Sequence, residues 1–247
     1  MNNRLPPDQQ TVVVTGAGGG MGHATVQTLI ARGWHVLAID RDGASLSSLN
    51  DRLGSKLSVL ATDIRENTLA SHVVAALEDL PTLGGLVNLA GISAGGGLES
   101  VTDAEWDLAF ATNVTPAFRL TQALAARLCA HGCASVVNVG SPVGVVGARK
   151  PQYAASKAAL HGLTMSCARA LGPSGVRVNL LLPGPTITGM TTDWSPEQRT
   201  QVAQGTFLKR LCLPEEVALV IAFLIGADSR YITASVVDMT AGSMLGH

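Results

Sequence analysis

Near the N-terminus Val12-Val13-Val14 runs into Thr15-Gly16-Ala17-Gly18-Gly19-Gly20-Met21-Gly22, followed by apolar residues at helical spacing, Ala24, Val26, Leu29 and Ile30. A β-branched apolar run reads as a buried strand, the glycines as a turn and the periodic segment as a helix. In such a strand–turn–helix the glycines let the backbone approach a pyrophosphate closely. The helix N-terminus then turns its free N–H groups and dipole toward that charge. Gly16, Gly20 and Gly22 follow T-G-x-x-x-G-x-G spacing, and Gly18 adds a partial match to G-x-G-x-x-G.

The same alternation continues through the chain. Strands are expected at 11–15, 35–40, 57–62, 85–89, 134–139, 177–182 and 235–239. Helices are expected at 21–32, 43–53, 66–80, 103–130, 152–171 and 214–226. Thr102-Asp-Ala-Glu105 is a capping-box signature for the helix from 103. The strands read as apolar runs more than as alternation, which suits a sheet covered on both faces. Repeated strand–helix units imply an α/β fold, a Rossmann-like, doubly wound parallel sheet of about seven strands. No linker or repeat divides the chain, so a single domain is expected over 11–247. Residues 1–10, polar with Pro6 and Pro7, read as a flexible tail without a signal-peptide apolar region.

Composition narrows the function classes. The 247 residues are 47% hydrophobic and carry a formal net charge of −1, which offers nothing to nucleic acid or an anionic membrane. The longest apolar run, 217–225, is far short of the roughly 18 to 20 residues that span a bilayer. A cytoplasmic location is expected. Four cysteines make no disulfide framework at this length. Cys129-Ala-His131-Gly-Cys133 has no second cluster to complete a metal site and reads as helix-end packing, so no metal is expected.

Tyr153-Ala-Ala-Ser-Lys157 carries the chemistry. A spacing of four puts both side chains on one helical face. An ammonium beside a phenol favours the phenolate, and a tyrosine tuned toward neutrality can exchange a proton with an alcohol or carbonyl oxygen. Asp40 ends the second strand, where an acid accepts hydrogen bonds from ribose hydroxyls and repels a 2′-phosphate. That favours NAD. Arg41, which can receive a phosphate, keeps NADP as the alternative. Ser141 ends the fifth strand, where its hydroxyl can bond the substrate oxygen beside the tyrosine; Pro142 stiffens the loop that follows.

These motifs and their order resemble the short-chain dehydrogenase/reductase family from Thr11 to about Gly242. The resemblance implies a catalytic set of Asn113, Ser141, Tyr153 and Lys157, with Asn113 opening its helix and holding a water in a proton relay. It implies that Asp63 meets the adenine amino group, with Ile64 against the ring. Asn88-Leu89-Ala90-Gly91 is similar to the family's N-N-A-G, with Leu89 in place of the second Asn. Asn88, Ala90 and Gly91 would support the sheet and the nicotinamide ribose. After Pro183-Gly184, Thr186 and Thr188 match positions that hold the nicotinamide carboxamide, and Thr188 is the better candidate. Met21, Tyr153 and Lys157 complete the cofactor contacts. His161, one turn beyond Lys157, reads as packing or a subunit contact.

The reaction implied is hydride transfer between NAD(H) and a secondary alcohol or ketone. The pocket is expected from 93–97, 142–146 and a lid at 185–207. In the lid, Ser195-Pro196-Glu197-Gln198 starts a short helix and Met190, Trp194 and Phe207 give apolar surface. No Lys or Arg stands in the lid before Arg199, which points to a neutral or aromatic substrate. The Pro183–Trp194 stretch is similar to that of diol dehydrogenases of the family. The alternatives are an NADP-dependent 3-oxoacyl-thioester reductase and a non-catalytic NAD(H) sensor. Ala234 and Ala241 replace glycines of the family's C-terminal pattern, so altered tail packing is expected, in a homo-oligomer that is a tetramer or dimer.

Overall fold

The structure, a computed structural model, describes residues 5–192 and 194–244; the side chain of Met190 and residues 1–4 of the expected tail lie outside it. The described residues form seven strands: β1 (Gln10–Thr15), β2 (His35–Asp40), β3 (Leu57–Ala61), β4 (Thr82–Asn88), β5 (Ser135–Val139), β6 (Arg177–Pro183) and β7 (Val236–Met239). All pair in parallel in one sheet ordered β3-β2-β1-β4-β5-β6-β7. The helices are α1 (Gly20–Ala31), α2 (Gly43–Leu53), α3 (Leu69–Ala76), α4 (Asp103–Asn113), α5 (Thr115–His131), α6 (Val143–Val146), α7 (Pro151–Leu171), α8 (Pro196–Gln204) and α9 (Pro214–Ile225).

Every residue of β1 is buried, so its side chains feed two cores in alternation. Val12 and Val14 join Val36, Ala38, Val87 and Val137 under α1, α2 and α9, through Leu29, Leu46, Leu49 and Ile221. Val13 joins Leu37, Ile39, Leu86 and Val136 under α3, α5 and α7, through Val73, Leu120, Leu124 and Ala168. Full burial of each such aliphatic side chain stabilises the fold by about 1.5–3 kcal/mol. The chain winds outward from β1 in one direction and from β4 in the other, so the connections diverge above these two strands and open a crevice at their carboxyl ends.

Several expected boundaries move, each for a physical reason. Gln10 belongs to β1 and is 1% exposed, and Pro7–Gln9 forms a 3-10 turn, so the ordered chain begins before Thr11. β4 starts at Thr82 because Gln10 and Thr11 pair with Thr82 and Leu83; the glycine pair at Gly84 and Gly85 hid those residues. The helix expected over 103–130 breaks at Val114 (φ −120°, ψ −56°), where Pro116 enters the first turn of α5. The helix expected over 66–80 shortens to α3, its ends drawn into turns such as Glu66 N–H to Asp63 C=O (3.0 Å).

The C-terminal alanines do not unmake the turns that glycine would favour. Ala234 and Ala241 both adopt φ 52°. Asn179 holds the first turn by accepting from Ser235 N–H (3.1 Å) and donating to Ile232 C=O (2.8 Å), while Ala234 N–H reaches Val178 C=O (2.8 Å). The second turn is held by Phe207 N–H on Ala241 C=O (2.8 Å). Left-handed backbone costs an alanine about 1–2 kcal/mol, partly offset by the greater freedom of unfolded glycine. Ala234→Gly and Ala241→Gly are each expected to stabilise the protein by about 0.5–1 kcal/mol and raise Tm by about 1–4 °C. Unchanged or lower melting temperatures by calorimetry would show that these turns are not strained.

Candidate active site

The crevice above β1 and β4 is a cleft of about 710 Å3. Its floor is the glycine turn after β1. Gly16 has φ 71°, and a Cβ there would stand 2.7 Å from Ala90 Cα, so the turn and the segment after β4 approach as only glycine permits. The Thr15 hydroxyl ties the same two strands. It accepts from Leu89 N–H (3.1 Å) and Ala90 N–H (3.2 Å) and donates to Val87 C=O (3.4 Å). No local sequence pattern marks that role of Thr15. The N-cap of α1, Gly19, offers no side-chain acceptor, so the first-turn N–H groups stay open toward the cleft.

At one end of the cleft Asp40 accepts from Gly18 N–H (2.9 Å) and Asp42 N–H (3.0 Å), which fixes its carboxylate under the turn. A Cβ on Gly18 would come within 2.9 Å of that carboxylate carbon. Arg41, Asp42, Asp63, Ile64 and Arg65 complete this end. Arg65 grips Asp63 with Nε (2.9 and 3.0 Å), with Nη2 and with its backbone N–H (2.9 Å). This hydrogen-bonded guanidinium holds the Asp63 carboxyl at about 2. Arg65 was not singled out from the sequence, although its place two residues after Asp63 was readable.

Of the cofactor candidates, Gly16, Gly18, Gly20, Met21, Gly22, Asp40, Arg41, Asp63, Ile64, Ala90, Gly91 and Thr188 line the cleft. Asn88 lies beneath it, donating to Asn138 Oδ1 (2.8 Å), while Leu89 packs into the core where the family pattern has a second Asn. Pro183 ends β6, and Gly184 lines a separate cavity of about 120 Å3 with Pro185, Cys212 and Thr240. Thr186 is 6% exposed and donates to Gly184 C=O (2.9 Å), so its hydroxyl is spent on the turn, whereas Thr188 and Gly189 face the cleft.

The four expected catalytic residues gather beyond Gly91. Lys157 is 6% exposed and donates to Val139 C=O (3.0 Å). A Cβ on Gly91 would meet Lys157 Nζ and Asn113 Oδ1 at 3.1 Å each. Asn113 accepts from Ile92 N–H (2.8 Å) and donates to Ile92 C=O (3.1 Å) and Ser156 Oγ (2.8 Å). It thus joins the segment after β4 to α7, at the point where α4 ends. The Ser141 side chain lies close enough to Tyr153 to favour its phenolate, so twelve residues of separation still bring them together.

Burial raises the Tyr153 phenol, and the Ser141 side chain opposes that rise. The lysine ammonium donates to the last carbonyl of β5. Burial lowers Lys157 itself to about 8.

The substrate side is strapped to the start of α7. Gln152 Nε2 donates to Ala94 C=O (2.9 Å) and Gly96 C=O (3.2 Å), and Lys150 Nζ to Ser93 C=O (2.7 Å). Val145, Val146 and Phe207 expose apolar surface. Arg199 spends Nη2 on the carbonyls of Thr191 and Thr192 (3.2 Å each). His161 is exposed on α7.

Residues 10–199 match the family model described as short chain dehydrogenase. Among curated proteins, the human (3R)-3-hydroxyacyl-CoA dehydrogenase is 35% identical, covering 98% of this chain and 97% of its own. The 3-oxoacyl-[acyl-carrier-protein] reductase of Salmonella typhimurium is 32% identical, over 93% of this chain and 95% of its own. Among solved structures, a 3-ketoacyl-(acyl-carrier-protein) reductase from Brucella melitensis complexed with NADH superposes with a TM-score of 0.89 at 26% identity, covering 96% of this chain and 98% of its own. The chain belongs to the short-chain dehydrogenase/reductase family and is an oxidoreductase acting on CH–OH or keto groups.

Proposed function

We propose that this enzyme interconverts a secondary alcohol and a ketone with NAD(H), using Ser141, Tyr153, Lys157 and Asn113. The observation that carries the reading is their convergence beyond Gly91, at the end of a cleft whose other end holds Asp40. A nicotinamide dinucleotide suits this cleft. The uncapped first turn of α1 receives a pyrophosphate, and the fixed Asp40 carboxylate receives ribose hydroxyls and opposes a 2′-phosphate. When bound, the coenzyme supplies the two-electron chemistry at the substrate carbon.

The protein's own residues handle the oxygen and its proton. Ser141 Oγ donates to the substrate oxygen and polarises it. In carbonyl reduction the Tyr153 phenol, kept neutral by burial, gives its proton to that oxygen; in alcohol oxidation it takes the proton back. Lys157 places a buried cation under Gly91, where it holds the nicotinamide ribose. Asn113 keeps the segment after β4 in register with α7 and leads the proton relay to Lys157.

For the substrate, the relatives support a 3-hydroxyacyl or 3-oxoacyl thioester. A neutral cyclic or aromatic diol is the second reading, supported by the lid, whose Arg199 is spent on backbone carbonyls. Exposed Leu219 and Phe223 on α9 support a homo-oligomer. The location follows the composition and is cytoplasmic.

Tyr153→Phe is expected to keep NADH affinity in a fluorescence titration and to lower kcat by about 100- to 10,000-fold; near wild-type turnover would remove Tyr153 from the mechanism. Carbonyl reduction uses the protonated forms of Tyr153 and Lys157. Since burial raises Tyr153 and lowers Lys157 to about 8, the lysine loses its proton first as pH rises. The kcat/KM for reduction is therefore expected to be level in the acid range and to fall above about 8. A profile level to about pH 10 would exclude a required Lys157 charge. Turnover of a 3-hydroxyacyl thioester panel, with none on cyclic diols, selects the first substrate class, and the reverse selects the second.

A further inference from the structure

The adenosine end of the cleft carries more charge than one discriminating carboxylate requires. Asp40 ends β2 and Arg41 and Asp42 follow it, Asp63 and Arg65 follow β3, and all five line the cleft. They sum to one net negative charge. Two guanidiniums at this end are enough to receive a 2′-phosphate, whose charge at neutral pH is about −1.5 to −2. What the two arginines can do therefore depends on the carboxylates around them.

Arg65 is not at liberty. Its Nε bonds both oxygens of Asp63 (2.9 and 3.0 Å), Nη2 bonds the second oxygen, and its backbone N–H bonds the first (2.9 Å). A guanidinium recognises a phosphate through two parallel N–H groups. In Arg65 one such edge is already filled by a carboxylate of matching shape, and its charge is cancelled on the spot. Asp40 is held just as firmly, by the N–H groups of Gly18 and Asp42. Asp40 repels a 2′-phosphate directly, whereas Asp63 withholds the cation that would attract one.

Resting on the coenzyme reading above, we infer that Asp63 is a second selectivity residue, which excludes NADPH by capturing Arg65. This role is separate from any contact between Asp63 and adenine. An adenine contact affects NADH and NADPH alike, because the two share the base. Capture of Arg65 affects only the coenzyme that bears the 2′-phosphate.

The experiment is calorimetric titration of NADH and NADPH into the wild type, Asp63→Asn, Asp63→Asn/Arg65→Ala and Asp40→Asn. Asparagine keeps the size and an acceptor oxygen while removing the charge. Asp63→Asn is expected to raise the affinity for NADPH relative to NADH by about tenfold. The gain should shrink with added salt and vanish in the double variant. Asp40→Asn supplies the comparison in which the direct repulsion alone is relieved. If Asp63→Asn changes both affinities by the same factor, or if the gain survives loss of Arg65, the capture inference is overturned. Wild-type protein that binds neither coenzyme would instead overturn the coenzyme reading itself, and the inference with it.

Discussion

Burial of the Lys157 ammonium is the constraint around which the candidate site is arranged. A cation at 6% exposure is costly unless it is hydrogen-bonded, and its lowered pKa records that cost. The last carbonyl of β5 meets part of the need. The remainder of the shell must be small or polar: Gly91 on one side, where no side chain fits without crowding Nζ, and Asn113 beside it. Those two residues come from β4's exit and from the end of α4. Asn113 in turn bonds Ile92 and Ser156, so one buried charge organises three segments that are remote in sequence.

The same cation separates the two ends of the cleft in electrostatic character. Around Asp40, carboxylates outnumber guanidiniums; beyond Gly91 lies the buried Lys157 ammonium. A ligand with an anionic middle and polar hydroxyls at both ends matches this layout. The uncapped first turn of α1 lies between the two ends.

Much of this could be read along the chain, because local patterns carry it. The β-branched runs, the glycine turn, the Thr102–Glu105 capping box and the four-residue Tyr153–Lys157 spacing are each contained in a short window. The break at Val114 had a local signal as well, in Pro116, but the apolar periodicity across it masked the stop. The destination of Lys157 and the Thr15 link to Leu89 and Ala90 had none, since they join atoms whose residues lie far apart in the chain. The bond of the Thr186 hydroxyl to Gly184 C=O in its own turn is likewise not marked by the Pro183-Gly184 pattern. The glycine-to-alanine exchanges at 234 and 241 were visible, but their outcome depended on hydrogen bonds from β6 and from Phe207 that hold the turns regardless.

The complete burial of β1 has a consequence for how the sheet finds its alignment. In a half-exposed strand, slipping by one residue drives apolar side chains into water, and that penalty specifies the pairing. Here Val12, Val13 and Val14 are interchangeable in size and polarity, and both faces are apolar. A slipped pairing would bury almost the same surface. Discrimination therefore falls to the polar residues at the two ends. Thr11 donates to Pro81 C=O (2.8 Å) at one end, and Thr15 is bonded to the chain leaving β4 at the other. Two hydroxyls thus distinguish the native alignment from its neighbours, a task that the hydrophobic effect cannot perform in this strand.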